Sequence, residues 1–173
     1  MKIFINPGHC PGIDPGAVNV SKEIHEADVV LQIGNMVKTF LEGSGYEVRL
    51  LQSDSLEEIC DVANEWAADY FVSIHCNACE SHQGTGTETF CYAFGTEAAE
   101  LAASIQRKIV AKLGMINRGV KEASYQVLRC TDMPAVLIEC GFIDNNDDVV
   151  KLINSQGDFA EAIYRGIIDF VEE

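Results

Sequence analysis

Positive charge is scarce in this sequence. Its 173 residues include 12 lysines and arginines against 27 aspartates and glutamates, so the formal net charge is −15. A chain this acidic repels the phosphate backbone of nucleic acids, so we expect no nucleic-acid partner. The same electrostatic field favours cations, including metal ions.

Long apolar stretches are missing as well. No run of residues approaches the ~20 apolar residues that a membrane-spanning helix needs, so the sequence predicts no membrane span. Residues 1–7 form a short, mostly apolar stretch with a single lysine, but they include neither the apolar region of about 7–15 residues nor the cleavage site of a signal peptide. We therefore expect no signal peptide and synthesis in the cytoplasm.

Cysteine, in contrast, is frequent. The chain has seven cysteines, and an odd number without an export signal predicts thiols rather than a disulfide framework. Cys76 and Cys79 form a CxxC pair, but no second pair completes a zinc knuckle, and no predicted helix begins there as a redox pair would require. A thiol redox module stays open as an alternative. Cys60, Cys91 and Cys140 are predicted to be small core residues.

The sequence also has few prolines and no segments of linker-like composition. The sequence has four prolines and no linker, repeat or low-complexity tract, while 47% of its residues are apolar. That apolar fraction is sufficient for a sizeable core. We therefore predict one domain that covers residues 1–173.

Short strand patterns alternate with longer helical patterns along the chain. Strands are predicted at residues 2–6, 47–51, 69–75, 86–92, 125–129 and 135–140. Apolar residues at helical spacing predict helices at residues 26–42, 56–67, 97–113 and 159–171. This alternation requires crossover connections, so the predicted fold class is α/β, with an open, mostly parallel, twisted sheet and helices on both faces.

Several ionisable residues stand where a core has no use for them. His9 follows the first predicted strand, and His75 and Glu139 each end an apolar stretch. Because ligands bind at the carboxyl ends of the strands in open parallel sheets, these side chains are expected at one edge. Glu26 opens the first helix four positions before Val30, which belongs to the buried stripe, so Glu26 faces the sheet at the same edge.

Two histidines and a carboxylate, with a further carboxylate close by, are the set that a hydrolytic zinc site requires. Zinc lowers the pKa of a water molecule, and a glutamate that is not a ligand takes the water's proton and passes it to the leaving nitrogen. The spacing alone is not specific, because the chain has no HExxH motif and the candidate residues are scattered.

Further short motifs surround these residues. They are Pro7-Gly8-His9, Asp14-Pro15-Gly16-Ala17, Glu26 with Leu31, Ala63-Asn64, Ala68-Asp69, Ser73-Ile74-His75-Cys76-Asn77-Ala78, Gly86-Thr87-Glu88, Arg118-Gly119-Val120-Lys121 and Pro134-Ala135-Val136-Leu137-Ile138-Glu139-Cys140-Gly141-Phe142. In this order and spacing they resemble the zinc-dependent N-acetylmuramoyl-L-alanine amidases of the type-3 family, which are cell-wall hydrolases. The family usually has two glycines after the first histidine, where this chain has Cys10 and Pro11.

The resemblance implies roles for these residues. His9, Glu26 and His75 would ligate one zinc ion, and Glu139 would act as general base and then as general acid. Asn77 and Glu88 are expected to bind the substrate or to support the groups that do. The sheet would have about six strands, and residues 1–173 would form a single catalytic domain. The family cleaves the amide between N-acetylmuramic acid and L-alanine, so peptidoglycan is the expected partner.

Other functions and the route to the substrate stay open. A zinc exopeptidase or a small-amide deacylase also uses scattered ligands, but many such sites bind two metals. A degenerate wall-binding domain would have lost a ligand, and no ligand position is lost here. Because peptidoglycan lies outside the membrane, we expect phage-type release, as for an endolysin, or export within a longer, autolysin-like protein. The oligomeric state is left open.

Overall fold

A single large sheet organises the computed structural model, which describes residues 1–172. In chain order the strands are β1 (Lys2–Pro7), β2 (Val18–Asn19), β3 (Ile24–His25), β4 (Glu47–Leu50), β5 (Tyr70–Asn77), β6 (Thr87–Cys91), β7 (Asn117–Glu122) and β8 (Ala135–Phe142). The helices are α1 (Glu26–Gly43), α2 (Leu56–Glu65), α3 (Glu97–Leu113), α4 (Gln126–Arg129), α5 (Asn146–Asn154) and α6 (Gln156–Glu172). Strands β2 and β3 pair as a separate short hairpin, and the other six form the sheet.

The strand order of the sheet is β4-β1-β5-β8-β6-β7. The first four of these strands run parallel to one another. Strand β6 runs antiparallel to β8, and β7 runs parallel to β6. The predicted fold class, an α/β fold with a mostly parallel sheet of about six strands, is therefore confirmed.

Helices cover both faces of the sheet. On one face α1, α3, α5 and α6 pack against apolar side chains that include Ile74 and Ile138. On the other face α2 and α4 pack against Phe71 and Leu137, which lie on the same strands, three positions before Ile74 and one before Ile138. Because successive side chains of a strand point to opposite faces, both sides of the central strands are buried. Within residues 1–172, none of the helices combines the length and the apolar character needed to cross a bilayer.

The structure corrects one predicted strand. Residues 126–129 of this segment form the short helix α4, and the amides of Leu128 and Arg129 donate to the carbonyl of Tyr125, which precedes the helix. The sixth strand of the sheet is instead β7, whose polar sequence did not resemble a strand. Strand β7 lies at the edge of the sheet, and edge strands tolerate charged residues because one side of them meets solvent. Helix α5 was also not predicted, although Asn145 caps its amino end.

Helix α6 approaches α3 closely at Gly166. A Cβ atom on Gly166 would lie 2.5 Å from the Cα of Ile105, so the helices would have to separate. We expect Gly166→Ala to lower the free energy of unfolding by about 2 kcal/mol and the Tm by ~4–8 °C. Gly157→Ala in the same helix meets no atom within 4 Å and should be neutral or slightly stabilising. Thermal denaturation of both variants tests this, and an unchanged Tm for Gly166→Ala would contradict it.

Candidate functional site

The three predicted metal ligands meet around one carboxylate. Glu26 Oε2 lies 3.1 Å from His9 Nε2, and Glu26 Oε1 lies 3.0 Å from His75 Nδ1. One potential ligand atom from each of the three residues lies within 4.8 Å of the others. The fold thus brings together three side chains that lie far apart in the sequence and whose spacing forms no recognisable metal-binding motif.

Glu26 is the least accessible member of this group, with 2% of its surface exposed. Its Oε2 accepts a hydrogen bond from the Ala17 amide at 2.8 Å, and its Oε1 accepts one from the Cys76 amide at 2.9 Å. His9 and His75 keep 27% and 20% of their side-chain surface exposed. The backbone therefore fixes the carboxylate, while the two imidazoles stay accessible from solvent.

Two glycines permit the close approach of these side chains. A Cβ atom on Gly8 would lie 2.2 Å from the His75 ring, and one on Gly16 would lie 2.6 Å from Glu26 Oε2. Gly16 has a φ of +66°, in the left-handed region that favours glycine. His9 has a φ of 60°, so a residue with a side chain adopts the same disfavoured region, as is common at functional sites.

Asp14 orients the imidazole of His9. Asp14 Oδ2 lies 2.7 Å from His9 Nδ1, and Asp14 Oδ1 accepts a hydrogen bond from the Gly16 amide at 3.0 Å. This contact engages Nδ1, so Nε2 is the nitrogen that faces Glu26; partners of this kind fix the orientation of metal-binding histidines. From the sequence, Asp14 was recognised only as part of a motif. Its position, five residues after a candidate ligand in a loop rich in glycine and proline, could have indicated a contact with His9.

The charges of the group reinforce one another. The hydrogen bond with Glu26 raises the pKa of His9 to about 9, against the opposing effect of burial. Burial raises the pKa of Glu26, but hydrogen bonds with His75 and His9 outweigh it and bring that pKa to about 2. At neutral pH the buried carboxylate is therefore ionised and His9 carries the compensating proton, which a metal ion would have to displace in order to bind.

Glu139 lies beside this group on β8, directly in register with His75 on β5. Its Oε2 is buried and has no hydrogen-bond partner within residues 1–172. Burial, together with the negative charges of Glu26 and Glu88, raises the pKa of Glu139 to about 8. A carboxyl group with this pKa can take up and release a proton near neutral pH.

The raised pKa of Glu139 predicts a pH-dependent loss of stability in the metal-free protein. Since this pKa rises from 4.5 in the unfolded chain to about 8, the folded state holds the proton more tightly. The stabilising contribution is complete below the lower value and is lost as the pH rises through the higher one. We expect Glu139→Gln to be more stable than the parent by ~2 kcal/mol at about pH 9 and similar to it near pH 4.

Urea unfolding of both proteins with a chelator present measures this difference. The matched control is Glu57→Gln, since Glu57 is an exposed residue of α2. If the parent and the Glu139→Gln variant lose stability equally between the two pH values, the pKa of Glu139 is not raised.

The two residues predicted near the substrate contact each other from the strands on either side of β8, Asn77 on β5 and Glu88 on β6. Glu88 lies opposite Glu139 across the β6–β8 pair, and its Oε1 accepts a hydrogen bond from Asn77 Nδ2 at 2.8 Å. Its Oε2 accepts hydrogen bonds from Arg118 Nε at 2.8 Å and from the Lys121 ammonium. Burial raises the pKa of Glu88, but the bonds from Lys121 and Arg118 bring it below its usual value. The role of Asn77 and Glu88 in substrate binding stays a prediction.

A cavity of about 290 Å³ opens over the metal-ligand group. The residues that line it are His9, Leu56, His75, Tyr125, Gln126, Val127, Leu137 and Glu139. The cavity therefore presents two candidate ligands and Glu139 beside an apolar wall. Tyr125 and Leu56 were not singled out from the sequence, because nothing in their local pattern distinguishes them from packing residues.

Cys76 of the CxxC pair does not have the properties of a reactive thiol, whereas the hydrogen bond with Ser81 lowers the pKa of Cys79. Strand β5 continues through Cys76, and burial raises the pKa of its thiol well above the usual value. A reactive cysteine instead needs a lowered pKa and access to solvent. Cys60, Cys91 and Cys140 are buried, as predicted.

The donor set suits a zinc ion. Two imidazoles and one carboxylate are ligands that catalytic zinc sites use, and three protein ligands leave a further position open. Here the carboxylate is ionised, the ligand atoms lie within 4.8 Å of one another, and Asp14 holds one imidazole from behind.

Comparison with known proteins identifies the family. A family model described as N-acetylmuramoyl-L-alanine amidase matches residues 3–169. The chain belongs to this family. Amidases of the family are generally zinc-dependent, which agrees with the donor set of His9, Glu26 and His75.

Individual amidases and lytic proteins resemble the chain over most of its length. It is 37% identical over 180 residues to the sporulation-specific N-acetylmuramoyl-L-alanine amidase of Bacillus subtilis (strain 168), covering 100% of this chain and 68% of the relative. It is 38% identical over 184 residues to the endolysin of Bacillus phage SPP1, covering 98% of this chain and 65% of the relative. The chain therefore spans about two thirds of the length of each of these relatives.

A solved amidase has the same fold. The crystal structure of N-acetylmuramoyl-L-alanine amidase from Clostridium difficile 630 matches with a TM-score of 0.91 and 34% identity, over 99% of this chain and 97% of that one. The family resemblance and the enzyme class predicted from the sequence are thereby confirmed. The exopeptidase or deacylase alternative is not favoured.

Proposed function

We propose that this chain is a single catalytic domain that hydrolyses the amide between the lactyl group of N-acetylmuramic acid and L-alanine in peptidoglycan. The observation that carries the proposal is the convergence of His9, Glu26 and His75, with Glu139 in register beside them, around one solvent-accessible cavity. The activity of the amidase relatives supports it.

We propose that His9, Glu26 and His75 hold one zinc ion. When bound, zinc supplies an activated water and polarises the carbonyl of the scissile amide. Asp14 keeps the His9 ring in its orientation, and the amides of Ala17 and Cys76 keep the Glu26 carboxylate in place. These contacts are present without an ion, so His9 and Glu26 are already held in place.

Glu139 is the proton carrier of the proposed reaction. Its carboxylate takes a proton from the attacking water, and the same carboxyl group then donates that proton to the departing nitrogen of L-alanine. The raised pKa of about 8 suits both steps, since the ionised and the protonated forms of the group are both populated near neutral pH. Glu139 Oε2 makes no hydrogen bond within the described part of the chain, so no protein group competes for that proton.

The route to the cell wall belongs to the proposal as well. The relatives include an endolysin of a phage and a sporulation-specific amidase, and both are longer than this chain. Phage-type release and export as part of a longer protein are both compatible with this catalytic domain.

Digestion of purified peptidoglycan with and without a chelator tests the proposal. We expect new amino ends of L-alanine, no new reducing sugars, loss of activity with the chelator and recovery with added zinc. One zinc ion per chain is expected by elemental analysis, whereas two ions would favour an exopeptidase or deacylase. New reducing sugars, or activity that survives complete removal of metal, would contradict the proposed function.

A further inference from the structure

Arg118 and Lys121 form a pair of cations on β7 that the proposed mechanism does not use. Both contact Glu88 Oε2, Arg118 through Nε at 2.8 Å and Lys121 through its ammonium group. One carboxylate offsets one of the two positive charges, so the cluster keeps one excess positive charge in a chain with a net charge of −15. A local excess of this sign attracts an anionic group of a ligand.

The cation pair has hydrogen-bond donors that are available to a ligand. Arg118 uses only Nε on Glu88, and its terminal guanidinium nitrogens donate to no acceptor within residues 1–172. The guanidinium carbon lies 4.9 Å from the centre of the Phe142 ring, which restricts the orientation of the group. The side chains of Arg118 and Lys121 are 35% and 40% exposed. The pair is therefore oriented by Glu88 and Phe142 and remains accessible to a ligand.

The pair lies beyond Glu139 on neighbouring strands of the sheet. Glu88 is the neighbour of Glu139 across β6 and β8, and β7 is the next strand beyond. The Tyr125 ring, which lines the cavity, lies 5.3 Å from the Phe90 ring, and the Lys121 ammonium lies 5.9 Å from the same Phe90 ring. The cation pair and the cavity therefore lie on one face of the sheet.

The distance matches a short length of peptide. Strands are spaced about 4.8 Å apart, so β7 lies ~10 Å from Glu139. An extended peptide advances about 3.3 Å per residue, so two or three residues span that distance. In a substrate whose scissile amide lies at Glu139, the group near Arg118 and Lys121 would come from the stem peptide close to L-alanine.

We propose that Arg118 and Lys121 bind the free carboxylate of the stem-peptide residue that follows L-alanine. A guanidinium and an ammonium held side by side form charge-assisted hydrogen bonds with a carboxylate, and a neutral amide in its place loses them. The inference rests on the proposed amidase function and adds a specificity to it. Glu88 is a positioning residue in this arrangement, because it holds the two cations and does not itself contact the substrate.

Two muramoyl tripeptides test this inference. They differ only in the second stem-peptide residue, whose α-carboxyl group is free in one and amidated in the other. We expect the parent protein to prefer the free carboxylate by about tenfold in kcat/KM, the effect of losing one charge-assisted contact. Arg118→Gln and Lys121→Gln should each raise KM for the free carboxylate by about tenfold, with kcat nearly unchanged. For the amidated tripeptide both variants should match the parent.

Two further variants serve as controls for this experiment. Arg118→Lys keeps the charge and should recover part of the preference, whereas Arg118→Gln should not. Lys38→Gln removes a half-exposed lysine of α1 that pairs with Glu42, and it should leave the hydrolysis of both tripeptides unaffected. Equal kcat/KM of the parent for the two tripeptides, or an equal rise of KM for both in Arg118→Gln, would overturn the inference while leaving the amidase function intact. If the parent protein hydrolyses neither the tripeptides nor peptidoglycan, the proposed function is wrong, and this inference is wrong with it.

Discussion

Replacing Glu139 with glutamine is expected to lower kcat for peptidoglycan hydrolysis by about 10³-fold, because a glutamine amide cannot take the proton from water or return it to L-alanine. The candidate metal ligands are untouched, so the variant should still bind one zinc ion per chain. Glu139 lies in register with His75 and contributes to the same cavity, and its Oε2 makes no structural hydrogen bond within residues 1–172. The variant should therefore fold normally, as circular dichroism can verify.

The release of L-alanine amino ends from peptidoglycan measures this loss, and elemental analysis measures the zinc. Glu57→Gln is the control, since it makes the same chemical change at an exposed residue next to Leu56, which lines the cavity. If Glu139→Gln retains more than a tenth of the parent's kcat, another group carries the proton. If the variant loses activity together with its zinc, Glu139 serves the metal site and not the proton transfer.

Glu26→Gln is expected to weaken zinc binding strongly and to destabilise the metal-free protein. Glu26 contacts both candidate histidine ligands and accepts hydrogen bonds from the amides of Ala17 and Cys76. Glutamine has one acceptor oxygen and no charge, so it cannot satisfy these four partners. We expect zinc affinity to fall by at least ~100-fold. Loss of a residue that only supports a metal ligand already lowers the affinity by roughly 10- to 100-fold, and Glu26 is a candidate ligand itself. The free energy of unfolding without metal should fall by about 3 kcal/mol.

Zinc titration with a competing chelator and urea unfolding measure these two effects separately. Asp28→Asn is the matched control, because Asp28 is an acidic residue in the same first turn of α1 and its side chain is 56% exposed. It should change neither property appreciably. Unchanged zinc affinity in Glu26→Gln would remove Glu26 from the metal site and would leave the convergence of the two imidazoles unexplained.

The arrangement of strands explains why the chemistry lies where it does. His75, Glu139 and Glu88 occupy corresponding positions on the adjacent strands β5, β8 and β6, so they form one row across the sheet. The row passes from a candidate zinc ligand, through the proposed proton carrier, to the carboxylate that holds Arg118 and Lys121. Glu88 enters this row because β6 pairs with β8 and not with β5, the strand that precedes it in the chain.

Local sequence patterns were sufficient for the fold class and for the candidate ligands. Alternating strands and helices predicted the sheet, and His9, His75 and Glu139 were recognisable because each interrupts or ends an apolar stretch. Helical spacing placed Glu26 on the buried side of α1, and the structure confirms its burial. These features depend on residues close together in the chain, so the sequence displays them directly.

Local sequence patterns could not predict the contacts between residues that lie far apart in the chain. The edge strand β7 and the short helix α4 take their form from their neighbours: β7 pairs with β6, and α4 packs against α2 over the sheet. The contact of Asp14 with His9 depends on a turn, and the contacts of Glu88 with Arg118 and Lys121 depend on the strand order. A linear sequence specifies which side chains exist and which face of their own element they occupy. Which faces meet is decided by the packing of the whole chain, because burial of apolar surface selects one strand order among several that local patterns allow.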